Sequence, residues 1–145
     1  MMKPLVLLVD DEAPFVETIT KRLSKRDLKI ITAFSGGEAL DILNKNRNTD
    51  VVILDVKMPG LKGIETLEKI RNQFPLIEVI MLTGHATVES AIEGMKLGAF
   101  DYLMKPCEID QLMAKVHEAA KKKRDHEEKI REARVREALS AHGLE

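Results

Sequence analysis

Between Leu5 and Met104 the chain alternates five times between a short apolar run and a segment with helical spacing. The runs are Leu5 to Val9, Ile30 to Phe34, Val51 to Leu54, Ile77 to Leu82 and Tyr102 to Met104. They show little period-two alternation, the mark of strands covered on both faces, as in a parallel sheet. A short apolar run also fits a fragment of buried helix. Asp, Gly or Pro follows most of these runs, however, which favours strands that end in loops.

The segments between the runs carry helical stripes. Phe15, Ile19 and Leu23 recur every fourth residue in the first. Ala39, Leu40 and Leu43 form the second, and Ile64, Leu67 and Ile70 the third. Val88, Ala91, Ile92 and Met95 form the fourth; Ile109, Leu112, Val116 and Ala119 the fifth. Start and stop signals agree with them. Ser35-Gly-Gly-Glu38 reads as a capping box, Pro14 suits a first helical turn, and Gly98 suits the left-handed residue past a helix end. Strand-helix repetition of this kind predicts an α/β fold with a five-stranded parallel sheet, doubly wound, and a C-terminal helical extension. In such sheets ligands bind beyond the carboxyl ends of the strands, where the strand order switches. Functional residues are therefore expected just after the apolar runs.

Composition narrows the function. Apolar residues make up 44% of the 145, enough for one core, and aromatics only 3%, so aliphatic side chains and Met must fill it. A net charge of -1 provides no global field for nucleic acid or an anionic membrane, and direct nucleic-acid binding is not expected. The single cysteine, Cys107, excludes an intramolecular disulfide and suits a reducing cytoplasm, where it is expected as a small buried apolar residue. The apolar runs are too short to span a bilayer, and the first residues lack the pattern of a signal peptide. From about Lys121 onward the chain is dense in Lys, Arg, Glu and His. Residues 1–121 are read as one domain and 122–145 as a charged helical tail or linker. Ile130, Val135 and Leu139 are too sparse to set a heptad pattern, so the tail is expected to be solvated, with Lys121 to Arg124 as part of its wet face.

The strand ends collect a distinctive set. Asp10 and Asp11 follow the first run, Asp55 the third, Thr83 the fourth, and Lys105 the fifth, just before Pro106. Three carboxylates sharing one pocket repel one another unless a cation offsets them. A hard divalent ion such as Mg2+ takes oxygen ligands and keeps room for a phosphate oxygen, whereas the lack of His and Cys among these residues disfavours zinc. Carboxylates, a metal and a lysine make a site for a phosphoryl group, and a carboxylate can itself be the nucleophile. Neither of the glycine-rich phosphate-binding loops is present, nor is the nucleophile elbow of hydrolases. Asp10 and Glu12 have the one-residue spacing of an aspartyl-phosphate phosphatase, but the surrounding Val-Asp-Asp-Glu-Ala-Pro fits that pattern poorly.

The motifs LLVDDEAPF, VVILDVKMPGLKGIE and VIMLTGHATVESAIEGMKLGAFDYLMKP resemble those of receiver domains of two-component response regulators. The resemblance covers about Lys3 to Lys121, and Thr83 to Lys105 is most similar to the nitrogen-regulatory, NtrC-like type. It implies the flavodoxin-like receiver fold and a phosphoacceptor switch that assists its own phosphorylation without being a turnover enzyme. By that resemblance Asp55 accepts a phosphoryl group from a histidine kinase or phosphotransfer protein. Asp10, Asp11, Asp55 and the backbone carbonyl of Lys57 would hold Mg2+. Lys105, aimed by a cis peptide before Pro106, would meet the phosphoryl oxygens. Thr83 and Tyr102 would relay the change to the face formed by the fourth helix, fifth strand and fifth helix, where a downstream protein partner or a second copy would dock. Lys57 and His85 border the phosphate in the family, although both also fit solvated loop positions. The rival reading is a phosphorylation-independent adaptor that uses the same fold and its helical tail.

Overall fold

A computed structural model of the chain describes residues 3–56, 63–84 and 88–143. Five strands, β1 (Leu5–Val9), β2 (Lys29–Ala33), β3 (Val51–Leu54), β4 (Glu78–Thr83) and β5 (Asp101–Met104), alternate with five helices. These are α1 (Ala13–Ser24), α2 (Gly36–Lys45), α3 (Gly63–Gln73), α4 (Val88–Lys96) and α5 (Ile109–Ala141). All the strand pairings are parallel, in the order β2-β1-β3-β4-β5. The chain runs outward from β1 to β2 and then crosses back to β3, so the order switches over the carboxyl ends of β1 and β3.

The uninterrupted apolar runs hide a division between two cores. Val6 and Leu8 of β1, Ile53 of β3, and Ile80 and Leu82 of β4 pack with Val16, Ile19 and Leu23 of α1 and Leu112 and Val116 of α5. Leu7 and Val9, Val52 and Leu54, and Val79 and Met81 point to the other face, against Ala39 and Leu43 of α2 and Leu67 and Ile70 of α3. Because side chains alternate across a strand, a sheet covered on both sides needs apolar residues at every position. Each fully buried Leu or Ile contributes about 1.5–3 kcal/mol relative to exposure.

Local signals work as expected. The Ser35 hydroxyl accepts from the Glu38 amide at 3.1 Å, while the Glu38 carboxylate accepts from the Phe34 amide, one residue further back than the usual box. Pro14 lies in the first turn of α1. Gly98, two residues past the end of α4, has φ +102°, a conformation that favours glycine.

One expectation fails at the foot of the sheet. The run Lys121 to Arg124 is not uniformly solvated: Lys123 is 5% exposed and Arg124 is half-buried. Asp50, one residue before β3, is buried beneath α5, and its carboxylate meets Lys123 at 3.2 Å and Arg124 at 3.1 Å while accepting from the Leu5 amide at 2.8 Å. A buried carboxylate requires such partners, and the basic run supplies them. Beyond Glu127 the described part of α5 is exposed. Cys107 is half-buried rather than enclosed, and burial raises its thiol pKa. No helix among the described residues is long and apolar enough to cross a membrane.

Candidate functional site

The site is built one residue beyond the strands. Asp10 still donates its amide to Ala33, Asp55 to Val9 and Lys105 to Thr83, at 3.1, 3.0 and 2.9 Å. The sheet ladder therefore continues through the chemistry-bearing positions and fixes their backbones. Thr83, the last residue of β4, is fully buried, and Asp10 and Asp55 are nearly so. The Lys105–Pro106 peptide is cis.

These elements bring the carboxylates of Asp10, Asp11, Glu12 and Asp55 together, with one oxygen from each within 4.8 Å of the others. Lys105 reaches into the same cup from the far side of the sheet. Its ammonium lies 2.6 Å from Asp10 Oδ2, 3.3 Å from Glu12 Oε1 and 3.6 Å from Asp55 Oδ2. The Phe15 ring stands beside it, its centroid 4.0 Å from Nζ. The Glu12 amide donates to Asp10 Oδ1 at 2.9 Å and so orients that carboxylate.

The electrostatics are unbalanced. Among the described residues, four carboxylates face one ammonium. Burial pushes the Asp10 carboxyl above its ordinary value, outweighing its hydrogen bonds from Lys105 and Glu12, and the neighbouring charge of Asp55 acts in the same direction. Burial also opposes the charge on Lys105. The hydrogen bond to Asp10 and the fields of Asp10, Asp55 and Glu12 together prevail, so its pKa lies above that of an ordinary lysine. Among the described residues this concave set of hard oxygen donors carries more negative than positive charge and includes no His or Cys, which suits Mg2+. Asp10, Asp11 and Asp55 are the residues that would hold it, with Glu12 at the rim.

The structure thus gathers Asp10, Asp11, Asp55 and Lys105, with Thr83 at the adjoining strand end. Tyr102 stands on β5 opposite Met81, and its hydroxyl is buried with no hydrogen-bond partner among the described residues. Lys57 and His85 lie outside the described residues. Two contributors were not singled out from sequence. In the sequence Glu12 stands out only for its spacing from Asp10, and Phe15 only as part of the α1 stripe. The signal for both is the same: a residue in the first turn after a strand end that carries acids lies beside whatever those acids surround.

A doubly wound sheet with an acidic cup and a lysine at its switch point defines a class of phosphoryl-accepting α/β domains. Residues 6–117 match the response regulator receiver domain, and the chain belongs to that family. It is similar to the DNA-binding transcriptional regulator NtrC of Klebsiella pneumoniae, with 34% identity over 119 residues, which is 82% of this chain and 25% of that protein. The chain therefore spans about a quarter of the length of that curated relative. Among solved structures, a receiver domain from Clostridium thermocellum superposes with a TM-score of 0.80 at 38% identity, covering 83% of this chain and 97% of that one. NtrX from Brucella abortus superposes with a TM-score of 0.79 at 28% identity, covering 99% of this chain and 31% of that one. The chain is thus a receiver domain of the NtrC-like type, and the phosphoacceptor role follows from the family.

Proposed function

We propose that Asp55 is the phosphoacceptor of a signalling switch. The observation that carries this reading is the position of Asp55 at the strand-order switch, buried, in a cup it shares with Asp10 and Asp11, with Lys105 Nζ 3.6 Å away. An Asp55 carboxylate oxygen attacks the phosphorus of a phosphohistidine on a histidine kinase or phosphotransfer protein. The P–N bond breaks, its electron pair stays on the imidazole nitrogen, and an acyl phosphate forms on Asp55. When bound by Asp10, Asp11, Asp55 and the Lys57 carbonyl, Mg2+ supplies charge neutralisation for the transferring oxygens. Lys105 is placed to shift from Asp10 to a phosphoryl oxygen, adding a second positive contact.

Phosphorylation puts nearly two negative charges and new acceptor oxygens at the end of β3. The Thr83 hydroxyl, at the next strand end, donates to them in this reading. Tyr102, with its buried hydroxyl, follows on β5 and biases the α4–β5–α5 face between two arrangements. Exposed Ile92, Met95 and Met104 make that face apolar enough for a downstream protein or a second copy. We assign residues 1–121 to the receiver unit and 122–145 to a helical extension whose first residues are held by Asp50. The setting is the cytoplasm, and the chain works as a switch rather than a turnover catalyst.

Nuclear magnetic resonance with beryllofluoride and Mg2+ tests the relay. Amide shifts should spread from Asp55 to Thr83 and Tyr102 and be absent in Asp55→Asn. Shifts confined to the acidic cup would remove the relay and favour the phosphorylation-independent adaptor.

A further inference from the structure

Lys105 is held by more than carboxylates. Its side chain is only 13% exposed, and among the described residues its ammonium has four neighbours: Asp10, Glu12, Asp55 and the Phe15 ring. These contacts differ in kind. Asp55 is at 3.6 Å, beyond hydrogen-bond distance. Glu12 is well exposed, so solvent weakens its hold. Asp10 is near and buried, but its carboxylate is also among those available to a divalent cation. Among the described residues, the aromatic ring is the neighbour that holds the ammonium without using a metal-binding oxygen. A cation over a ring face in a partly desolvated site is attracted by the ring quadrupole.

We propose that Phe15 is a positioning residue, whose ring face keeps the Lys105 ammonium inside the acidic cup above Asp55. The proposal rests on the reading of Lys105 as the group that meets the phosphoryl oxygens. Position 15 is well suited to the task. It lies in the first turn of α1, directly after Pro14, and half-buried against the core formed by α1, α5 and the sheet. Packing alone would accept Leu or Met there, since either offers an apolar side chain to that half-buried place against the core. What an aliphatic residue lacks is the negative ring face. The aromatic character of Phe15 therefore serves Lys105, and its bulk serves the core.

The test compares wild type, Phe15→Leu and Phe15→Tyr by two readouts. The first is the proton shift of the Lys105 ε-methylene, which a ring face moves upfield without any phosphoryl chemistry. The second is the initial rate of labelling by acetyl phosphate at saturating Mg2+. The proposal expects an upfield ε-methylene in wild type and Phe15→Tyr and an ordinary value in Phe15→Leu. It expects labelling about fivefold slower in Phe15→Leu, the loss of one cation–ring contact, and restored in Phe15→Tyr. An ordinary ε-methylene shift in wild type overturns it. So does a Phe15→Leu rate equal to that of wild type, or a Phe15→Tyr chain as slow as Phe15→Leu. A wild-type chain with the upfield shift but no label upholds the contact and contradicts the Asp55 reading instead.

Discussion

Lys123 Nζ lies 3.2 Å from Asp50 Oδ1, with both side chains more than nine-tenths buried at the foot of β3. Asp55 is one residue past the other end of that strand, so β3 runs from the α5 anchor to the acidic cup. Removing one member of a buried pair leaves the other charge uncompensated, which costs about 3–5 kcal/mol where no other partner is present. Arg124 remains on Asp50 Oδ2, so Lys123→Met should lose less, about 2 kcal/mol by the same reasoning. Urea unfolding measures this. A chain ended after Lys121 should also unfold at lower urea than one ended after Glu127. Equal midpoints would show that the anchor contributes nothing.

The raised pKa of Asp10 predicts a pH-dependent gain on its neutralisation. A carboxyl whose folded pKa lies above its unfolded value favours folding while protonated, and this advantage is lost as pH rises through the folded pKa. At neutral pH the ionised Asp10 is thus a cost to the metal-free protein. Asp10→Asn should be more stable than wild type at pH 7, with the gain fading as the pH falls from the raised folded pKa toward the ordinary carboxylate value and absent below it. Thermal melts in chelator across that range check the sign. A variant less stable than wild type at pH 7 would mean that the Lys105 hydrogen bond outweighs burial.

Added Mg2+ should raise the melting temperature of wild type, because an ion bound to the folded state alone stabilises it by mass action. At a concentration about a hundredfold above the dissociation constant the gain is about 2.7 kcal/mol. Asp11→Asn should lose most of it, since Asp11 is exposed and offers its oxygen to the cup. Equal Mg2+ shifts in both proteins would remove Asp11 from the ligand set.

What could be read from the sequence follows a physical division. Asp10, Asp55, Thr83 and Lys105 could be placed because a parallel sheet brings its strand ends to one edge, whatever the helices do. Phe15 could not, because its contact with Lys105 depends on the rotation of α1 about its own axis, which an apolar stripe fixes only to within a face. The burial of Lys123 is hidden in the sequence for a related reason. A lysine among lysines has the composition of a wet surface, and only the tertiary position of Asp50 shows that one of them is covered. Asp50 itself precedes an apolar run, where an acid is unremarkable until a helix lies across it.

Gly63 gives a further test of how the cup is built. A Cβ placed there would stand 2.1 Å from Val56 Cα and 2.6 Å from the Asp55 carbonyl oxygen, so α3 starts directly against the backbone that carries Asp55. No flexible side chain can yield at that contact. Gly63→Ala should destabilise the fold by about 1–3 kcal/mol, the range for overpacking, and displace Asp55. Calorimetry together with the amide shift of Asp55 would detect both. An unchanged melt and shift would show that the helix start can move freely.

The most direct measurement is the intact mass of the chain after incubation with acetyl phosphate. The account predicts a single added phosphoryl group in wild type with Mg2+, and none in chelator or in Asp55→Asn. A phosphoryl group that persists in Asp55→Asn would contradict it.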